Sequence, residues 1–487
     1  MKIAHISDTH FPQIIKESFD RSIEKINNSD IEFVIHTGDL VDRGYLREYE
    51  EAIQSFSKLK KPIIFVPGNH DGKNVGLKLF ENFIGPLNGV KEGKDYVVIY
   101  LNSVIPDMNE GRISNSSFLW LKETLRGHLD KEIKIVCFHH HLVPVPNTGR
   151  ERNVLFNSGD VLDLLLKYGV NLVLNGHKHY PNVYKLEDLV IVNAGTMCSI
   201  KTRLGDKNSF NIIEIDDKIK VKTLRFGEIR EREYERKKER IYNVNSEKLF
   251  RIVQIAGTCI DNSDIFNKKM FLNAFKKIST LNPDFIVHCG DIVNEGLNKN
   301  YTLAAKYLKT PIFFVPGPRD INYLGYNLFP KYFDFIETHV TKKVAFKFLN
   351  SCQYDSDIGV IGRGELDRIK QFSRIPSEFK AIVLHHNLLP IENTREKGLL
   401  EDAGDILYEL TRLKIDLVLT GHSSHPSARK IENTLVVNAN SLSCKRQRNL
   451  FGNSFNIIDV YKDFIYVSEI QSLSGSRHVL GIWKRKI

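Results

Sequence analysis

Side chains that can bind a metal ion occur in five short polar blocks of the first half of the chain. The blocks read SDTH, GDLVDRG, GNHD, HHH and GHKH. They offer carboxylate, imidazole and amide groups but no thiolate, a donor set that suits Mn, Fe or Zn and is large enough for two ions sharing one carboxylate. The candidate ligands and their neighbour His70 are Asp8, His10, Asp39, Asn69, His70, His139, His177 and His179.

A pair of such ions hydrolyses phosphate esters without a protein nucleophile. Two cations roughly 3.5 to 4 Å apart clamp the phosphoryl oxygens and lower the pKa of a bridging water, and the resulting hydroxide attacks phosphorus in line. We expect His70 beside the leaving oxygen as a proton donor, with Asp71 fixing its tautomer. Arg43, His140 and Arg150 are candidate substrate contacts. A surface arginine that closes the VDRG turn explains Arg43 equally well, and His140 could instead support the metal ligands.

The polar blocks need secondary structure that brings them together. Each follows a short apolar run, such as KIAHIS before Asp8, FVIHT before Asp39 and IVCF before His139. Amphipathic segments such as EEAIQSFSKLKK separate the runs, which predicts buried strands alternating with helices. Polar residues just past the carboxyl ends of neighbouring strands converge on one crevice. The pattern therefore predicts an α/β fold with a single site.

The chain contains the same pattern twice. VNAGTMCSIKTRLGDKNSFNII at 192–213 aligns without a gap with VNANSLSCKRQRNLFGNSFNII at 437–458, and PIIFVPGNHD has the counterpart PIFFVPGPRD. This predicts two domains of one fold, 1–243 and 244–487. A stretch from about 228 is dense in charge of both signs and is interpreted as a solvated connector at the end of the first domain.

Composition adds few constraints. A net charge of +10 over 487 residues fits an anionic substrate or weak attraction to nucleic acid, and a solvated surface rich in lysine explains it as well. The six cysteines show no CxxC spacing and are expected to be reduced thiols. No apolar run reaches the length of a membrane span, so a cytoplasmic protein is predicted.

The five blocks, in this order, resemble those of the calcineurin-like metallophosphoesterase superfamily. The DxH and GNHD spellings are similar to the class III cyclic-nucleotide phosphodiesterases, whereas GDLVDRG also fits the protein phosphatases. The resemblance implies a β-sandwich flanked by helices in each domain, a four-layer αββα arrangement. It also implies that Asp8, His10, Asp39 and His179 hold one ion, and that Asp39, Asn69, His139 and His177 hold the second.

The second copy lacks most of these ligands. Only Asp291, His385 and His422 remain, as remnants or as a single-metal site. The second domain is therefore predicted to be non-catalytic, either a structural module that replaces a homodimer partner or a sensor that binds a phosphorylated ligand. The replacements are Asp8 by Gly257, His10 by Cys259, Asn69 by Pro318, His70 by Arg319 and His179 by Ser424.

The leading interpretation is a metal-dependent phosphoesterase, favouring phosphodiesters, with its active site in the first domain. Two ions are expected, manganese or iron first and zinc as the alternative. A non-catalytic scaffold, a phosphomonoesterase and a nuclease are the competing interpretations. A nucleotide is among the candidate substrates, and the sequence does not select one.

Overall fold

The computed structural model describes residues 1–149, 154–236, 245–309, 311–393, 398–446 and 452–485. The chain divides into two compact units, Met1–Lys238 and Glu239–Ile487. The predicted boundary at 243/244 lies outside the described residues. Within them, no helix combines the length and the apolar character that crossing a membrane requires.

The described part of the first unit alternates strands and helices in the way that the sequence predicts. Its helices are α1 (Lys16–Asn27), α2 (Leu46–Phe56), α3 (Gly76–Phe83), α4 (Asn115–Gly127) and α5 (Ser158–Lys167). Its strands are β1 (Lys2–Ile6), β2 (Phe33–His36), β3 (Ile63–Phe65), β4 (Gly89–Glu92), β5 (Tyr96–Tyr100), β6 (Ile133–Cys137), β7 (Leu172–Asn175), β8 (Asn182–Leu186), β9 (Leu189–Asn193), β10 (Ser209–Ile215), β11 (Lys218–Arg225) and β12 (Glu228–Glu235).

These strands form two sheets. One has the order β12-β11-β10-β1-β2-β3, and the other contains β8-β9-β7-β6-β5-β4. Strands β1, β2 and β3 are parallel, as are β5, β6, β7 and β9. Parallel strands end at the same edge of a sheet, so the loops that follow them are gathered on one side.

Strand β1 shows why the sheets pack on both faces. Its side chains alternate, so that Ile3 packs with residues of the second sheet while Ala4 packs under the helices. Helix α1 presents Phe19, Ile23 and Ile26, spaced one turn apart, to that outer core. The predicted α/β sandwich flanked by helices is confirmed.

The charged segment that begins at 228 is a strand in its first part. Residues Glu228–Glu235 form β12, which pairs antiparallel with β11 at the edge of the first sheet. Glutamates of β12 lie opposite lysines of β11, as in the Lys220 pairing with Glu233. Opposite charges across two strands stabilise the pairing. These residues are exposed to solvent, as predicted, but they form an edge strand because their alternating charges complement a neighbouring strand.

The second unit repeats this arrangement. Its described helices are α6 (Lys268–Leu281), α7 (Asn298–Tyr307), α8 (Pro318–Ile321), α9 (Gly325–Tyr332), α10 (Arg363–Ser373) and α11 (Ala403–Arg412). Its strands are β13 (Lys248–Ile255), β14 (Phe285–His288), β15 (Phe313–Phe314), β16 (Thr338–Val340), β17 (Ala345–Phe348), β18 (Cys352–Gln353), β19 (Ser356–Gly359), β20 (Lys380–Val383), β21 (Leu417–Thr420), β22 (Ser427–Ile431), β23 (Thr434–Asn438), β24 (Ser454–Tyr461), β25 (Phe464–Gln471) and β26 (Arg477–Lys484).

The two main sheets of each unit have the same strand order, and the second unit adds a two-stranded sheet, β18-β19. The sheets of the second unit run β15-β14-β13-β24-β25-β26 and β16-β17-β20-β21-β23-β22. The parallel register also matches: Ile255 pairs with His288 in the second unit as Ile6 pairs with His36 in the first. The internal repeat in the sequence is therefore a repeat of the fold.

Candidate metal centre

The predicted ligands of the first unit lie in the loops after β1, β2, β3, β6 and β7. The backbone of several of these loops is strained, with φ between 52° and 79° at Asp8, His10, Asp39, His177 and His179. Residues with a side chain rarely adopt this left-handed region, and where they do the site is often functional. The strained backbone of these loops lowers the stability of the fold and directs the side chains towards one point.

The first group of ligand atoms comprises Asp8, His10, Asp39 and His179, and these atoms all lie within 4.8 Å of one another. Nε2 of His179 is 2.9 Å from Nε2 of His10 and 3.3 Å from Oδ1 of Asp8. Nε2 of His10 is 3.6 Å from Oδ2 of Asp39. Two imidazole nitrogens and two carboxylates therefore face a common point.

A second group of ligand atoms adjoins the first. Oδ1 of Asn69 lies 3.0 Å from Nε2 of His139 and 2.9 Å from Nδ1 of His177. Nε2 of His139 is 3.4 Å from Oδ2 of Asp39, the same oxygen that faces His10. Asp39 consequently lies between the two groups, in the position that a shared carboxylate requires.

The charge state of this cluster fits a cation site. Burial by itself raises the pKa of Asp39, but the nearby imidazoles, led by His139, outweigh it and hold that pKa well below its usual value. Burial likewise lowers the pKa of His139, and Asp39 overcomes this and raises it to about 9. Without a metal, the buried carboxylates are neutralised by protons on histidine. The same donors accept a metal ion when those protons leave.

Backbone carbonyls orient two of the histidines. Nδ1 of His139 donates to the carbonyl of Thr37 at 2.8 Å, and Nδ1 of His179 donates to the carbonyl of Lys201. Each bond leaves Nε2 as the nitrogen that points at the cluster. Hydrogen bonds of this kind fix the tautomer and the ring angle of a metal-binding histidine.

His70 lies at the edge of the cluster. Its backbone N–H donates to Oδ1 of Asp39 at 2.8 Å, and its ring packs edge-on against His10 with 4.6 Å between centroids. Nδ1 donates to the carbonyl of Asp42 at 2.6 Å and is 3.4 Å from Oδ1 of the same residue. The side chain is 20% exposed, so His70 can reach both the cluster and solvent.

Asp71 does not hold the His70 ring in the way that the sequence suggested. Its buried carboxylate accepts backbone N–H groups of Leu40, Val41 and Gly68 at 3.2, 3.0 and 2.8 Å. It therefore ties the loop after β2 to the loop after β3. The residue beside the ring is Asp42, which belongs to the quoted GDLVDRG block and was missed because Asp71 is adjacent in sequence.

The predicted substrate contacts differ in their positions. His140 is buried, with Nδ1 2.8 Å from Oγ of Ser103 and Nε2 3.2 Å from the carbonyl of Asn109, so both ring nitrogens have partners in the protein. Its ring lies 4.6 Å from the ring of His177, which favours support of the predicted ligands over contact with substrate. The side chain of Arg43 is 68% exposed, with Nε 4.0 Å from Oδ2 of Asp42. Arg150 lies outside the described residues.

An open cleft beside the cluster carries three basic residues that the sequence analysis missed, Lys178, Lys201 and Arg203. Lys201 has two roles in the loop after β9, since its carbonyl accepts from His179 and its ammonium group pairs with Asp42. Two stretches of the sequence could have indicated these basic residues. GHKH contains Lys178, and KTR, which follows GTMCSI, contains Lys201 and Arg203. The cleft is lined by Asp39, Asn69, His70, Asn109, His177, Lys178, His179, Lys201, Thr202, Arg203 and Leu204.

The equivalent place in the second unit holds an arginine. Nε of Arg319 lies 3.3 Å from Oδ2 of Asp291, and its Nη1 donates to Oδ1 of Asn294 at 3.2 Å. Nε2 of His385 is 3.9 Å from Oδ1 of Asp291 and 3.0 Å from Nδ1 of His422. The three predicted remnants are thus close together, but a guanidinium group already supplies the positive charge beside Asp291.

Comparison with known proteins gives relatives that match part of this chain. The 3',5'-cyclic adenosine monophosphate phosphodiesterase CpdA of Haemophilus influenzae is 30% identical over 177 residues, which are 35% of this chain and 60% of that protein. The glycerophosphodiester phosphodiesterase GpdQ of Enterobacter lignolyticus is 25% identical over 198 residues, 37% of this chain and 71% of that protein. A dimetal phosphatase structure from Danio rerio matches at 13% identity and a TM-score of 0.40, covering 48% of this chain and 99% of that one.

The family comparison extends over both units. The calcineurin-like phosphoesterase model matches residues 1–181 and 252–426, the two segments that contain the five loops and their counterparts. This agrees with the repeated topology and with the ligand cluster of the first unit. The chain belongs to the calcineurin-like phosphoesterase family.

Proposed function

We propose that the first unit hydrolyses a phosphodiester with two metal ions, manganese or iron, bound by its ligand cluster. The observation that supports this proposal most directly is the position of Asp39. Its Oδ2 lies 3.6 Å from Nε2 of His10 on one side and 3.4 Å from Nε2 of His139 on the other. A carboxylate that lies between two sets of ligand atoms can bind two cations at once. Asp8, His10 and His179 would hold one ion, and Asn69, His139 and His177 would hold the other, with Asp39 shared.

The residues of the chain have separable tasks in this proposal. When bound, the ions would supply Lewis acidity and lower the pKa of a water molecule. Asp42 orients His70, whose partly exposed ring would act as the proton donor to the leaving oxygen. Lys178, Lys201 and Arg203, which line the cleft, bind the non-reacting phosphate oxygens or an attached group.

The chemical class of the substrate is proposed from the relatives. The two named above act on a cyclic adenosine monophosphate and on a glycerophosphodiester. In both substrates two oxygens of the phosphate are esterified, and the basic residues of the cleft suit such an anion. A phosphodiester, with a nucleotide as one candidate, is therefore the favoured class.

We also propose that the second unit is not catalytic. Gly257 and Cys259 replace a carboxylate and an imidazole, and Arg319 brings a cation to Asp291. A guanidinium group beside the one remaining carboxylate opposes metal binding by charge and occupies the space that an ion needs.

The experiment is hydrolysis of bis(p-nitrophenyl) phosphate by the full chain after chelation and reloading with manganese, iron or zinc. We expect metal-dependent turnover that Asp39→Asn lowers at least 100-fold, because the variant weakens the contact shared by both ions. Asp130→Asn, at an exposed position, is the matched control and should keep wild-type activity.

The substrate class is tested with the same protein on cyclic nucleotides, glycerophosphodiesters and phosphomonoesters. Preference for diesters supports the proposal, and turnover confined to monoesters contradicts the class while keeping the enzyme. Absence of turnover on all substrates, with two ions bound, would instead indicate a non-catalytic binding protein.

A further inference from the structure

The second unit has two cysteines where the first unit has other residues. The repeat aligns Cys259 with the metal-ligand candidate His10 and Cys444 with Ser199. These cysteines lie far apart in the sequence and match no motif. The fold brings both to Arg319, the residue that replaces His70.

Arg319 contacts both sulfur atoms. Its Nη1 lies 3.6 Å from Sγ of Cys259 and 3.9 Å from Sγ of Cys444. Its Nε faces Asp291 at 3.3 Å, which fixes the orientation of the guanidinium plane. A cation held between two sulfurs favours the thiolate form of either one.

Backbone hydrogen bonds hold the two cysteine loops side by side. The N–H of Leu442 donates to the carbonyl of Ala256 at 2.8 Å, and the hydroxyl of Ser443 donates to the carbonyl of Thr258 at 2.9 Å. The loop after β13 and the loop after β23 therefore meet along the residues that precede both cysteines.

The thiols also influence each other. A hydrogen bond from Cys259, assisted by Arg319, lowers the pKa of Cys444 to about 7. The same hydrogen bond, with burial, raises the pKa of Cys259 well above its usual value. The pair thus resembles a thiolate that accepts a hydrogen bond from a neighbouring thiol. A low-pKa thiolate beside a second thiol is the arrangement of oxidisable cysteine pairs.

Both cysteines are buried, with 2% and 3% of their surface exposed, but they border a cavity. They line a pocket together with Arg319, His422 and Arg446. By contrast, Cys137, Cys198 and Cys289 are fully buried, and burial raises their pKa. A small oxidant that enters this pocket meets Cys444 and Cys259.

We propose that Cys259 and Cys444 form a redox site that hydrogen peroxide converts reversibly to a disulfide. The Cys444 thiolate attacks one peroxide oxygen, the O–O bond breaks, and the departing hydroxide takes a proton to become water. The resulting sulfenic acid is attacked by the Cys259 sulfur, which forms the S–S bond and releases a second water with the Cys259 proton. Two thiols and one peroxide give one disulfide and two waters.

The direct test is peptide mapping of the full chain after brief treatment with hydrogen peroxide and alkylation of the remaining thiols. We expect a cross-linked peptide pair containing Cys259 and Cys444, which disappears on treatment with dithiothreitol. Reaction of both residues with the alkylating agent after oxidation, or a cross-link between other cysteines, would overturn the proposal.

Variants separate the pair from its surroundings. Cys444→Ser should abolish the cross-link and leave Cys259 free to alkylate, whereas Cys352→Ser should keep the cross-link. Arg319→Gln should slow disulfide formation roughly three- to tenfold, because the thiolate loses its neighbouring cation. Arg363→Gln, at an exposed site, is the matched control. An unchanged rate in Arg319→Gln would remove the guanidinium from the proposal.

A measurement on the wild-type protein covers the case in which a variant fails to fold. Under native conditions and without oxidant, iodoacetamide should modify Cys444 before Cys137, Cys198 and Cys289. Prior oxidation should protect Cys444, and reduction should restore its reactivity. Equal reactivity of all these thiols would contradict the pairing.

Discussion

Nε2 of His385 lies 3.0 Å from Nδ1 of His422, so these two imidazoles bond to each other directly. In the first unit the equivalent rings of His139 and His177 both meet the amide oxygen of Asn69. Pro318 replaces Asn69 in the second unit and offers no side-chain oxygen. The two equivalent histidines therefore contact an amide oxygen in the first unit and each other in the second.

This difference predicts where metal binds. The full chain should bind two ions, both in the first unit, so that His177→Ala lowers the bound metal and abolishes turnover. His422→Ala, the equivalent change in the second unit, should leave the metal content and the activity unchanged. Elemental analysis after gel filtration measures both. Loss of an ion in His422→Ala would show that the second unit keeps a metal site.

Replacement of His70 should separate metal binding from catalysis. His70→Ala should keep both ions and slow turnover by roughly 100- to 10,000-fold, the usual contribution of a general acid. Metal content and kcat are measured on one preparation, and His478→Ala at an exposed site is the control. If His70→Ala loses metal, His70 is a ligand, and the role proposed for it is wrong.

Lys201 should matter for substrate binding more than for the chemical step. Its ammonium group pairs with Asp42 at the cleft, while its backbone carbonyl, which accepts from His179, remains in any variant. Lys201→Met should raise KM by about tenfold, since a charged hydrogen bond contributes about 1.5 kcal/mol. Lys207→Met, at an exposed position in the same loop, should change KM little. A fall in kcat with unchanged KM would assign Lys201 to positioning of Asp42.

The affinity for metal should rise with pH. The pKa of His139 is raised to about 9, by Asp39 against the opposing effect of burial, so this ligand carries a proton at neutral pH in the metal-free protein. A metal ion must displace that proton, and displacement becomes easier as pH approaches 9. Calorimetric titration at pH 6, 7 and 8 in buffers of different ionisation enthalpy should show proton release and tighter binding at higher pH. Constant affinity without proton release would contradict the charge state described here.

Asp320 should couple the stability of the second unit to pH. It accepts backbone N–H groups of Val293 and Gly317, and burial, together with Asp291, raises its pKa to about 7. A carboxyl group whose folded pKa exceeds the unfolded value stabilises the fold below that unfolded value, and this contribution is lost as pH rises through about 7.

The direction of this pH dependence predicts how an Asp320 variant behaves. Asp320→Asn should destabilise the protein by about 1 to 3 kcal/mol at pH 5, because it replaces an accepting oxygen with an amide donor. The deficit relative to wild type should shrink by pH 8. Thermal unfolding of the full chain measures it, and Asp367→Asn, at a site 73% exposed, is the control. A loss of stability, relative to wild type, that grows as pH rises would contradict the raised pKa of Asp320.

The sequence by itself determined the type of fold, its repetition and the types of ligand. These features are local: apolar runs of β-branched residues, polar blocks directly after them, and a gap-free internal repeat can be read without knowing any contact. The donor set of Asp8, Asp39 and the histidines was likewise visible, because each residue follows a strand end.

Only the tertiary structure decided which side chain meets which. Asp71 is next to His70 in the sequence, but its carboxylate turns to the backbone of the loop after β2, and Asp42 meets the ring. His140 follows His139 and points into the core towards Ser103. Both pairs lie in loops that follow a strand end, where the turn of the backbone decides which way each side chain points.

The same reason applies to the features that join distant segments. Lys201 reaches Asp42, and Cys444 reaches Arg319 and Cys259, through loops that the sheet order places together. Strand order depends on packing of the whole core rather than on any short stretch of residues. The basic cleft of the first unit and the thiol pair of the second therefore became visible only when the strands had been assembled into sheets.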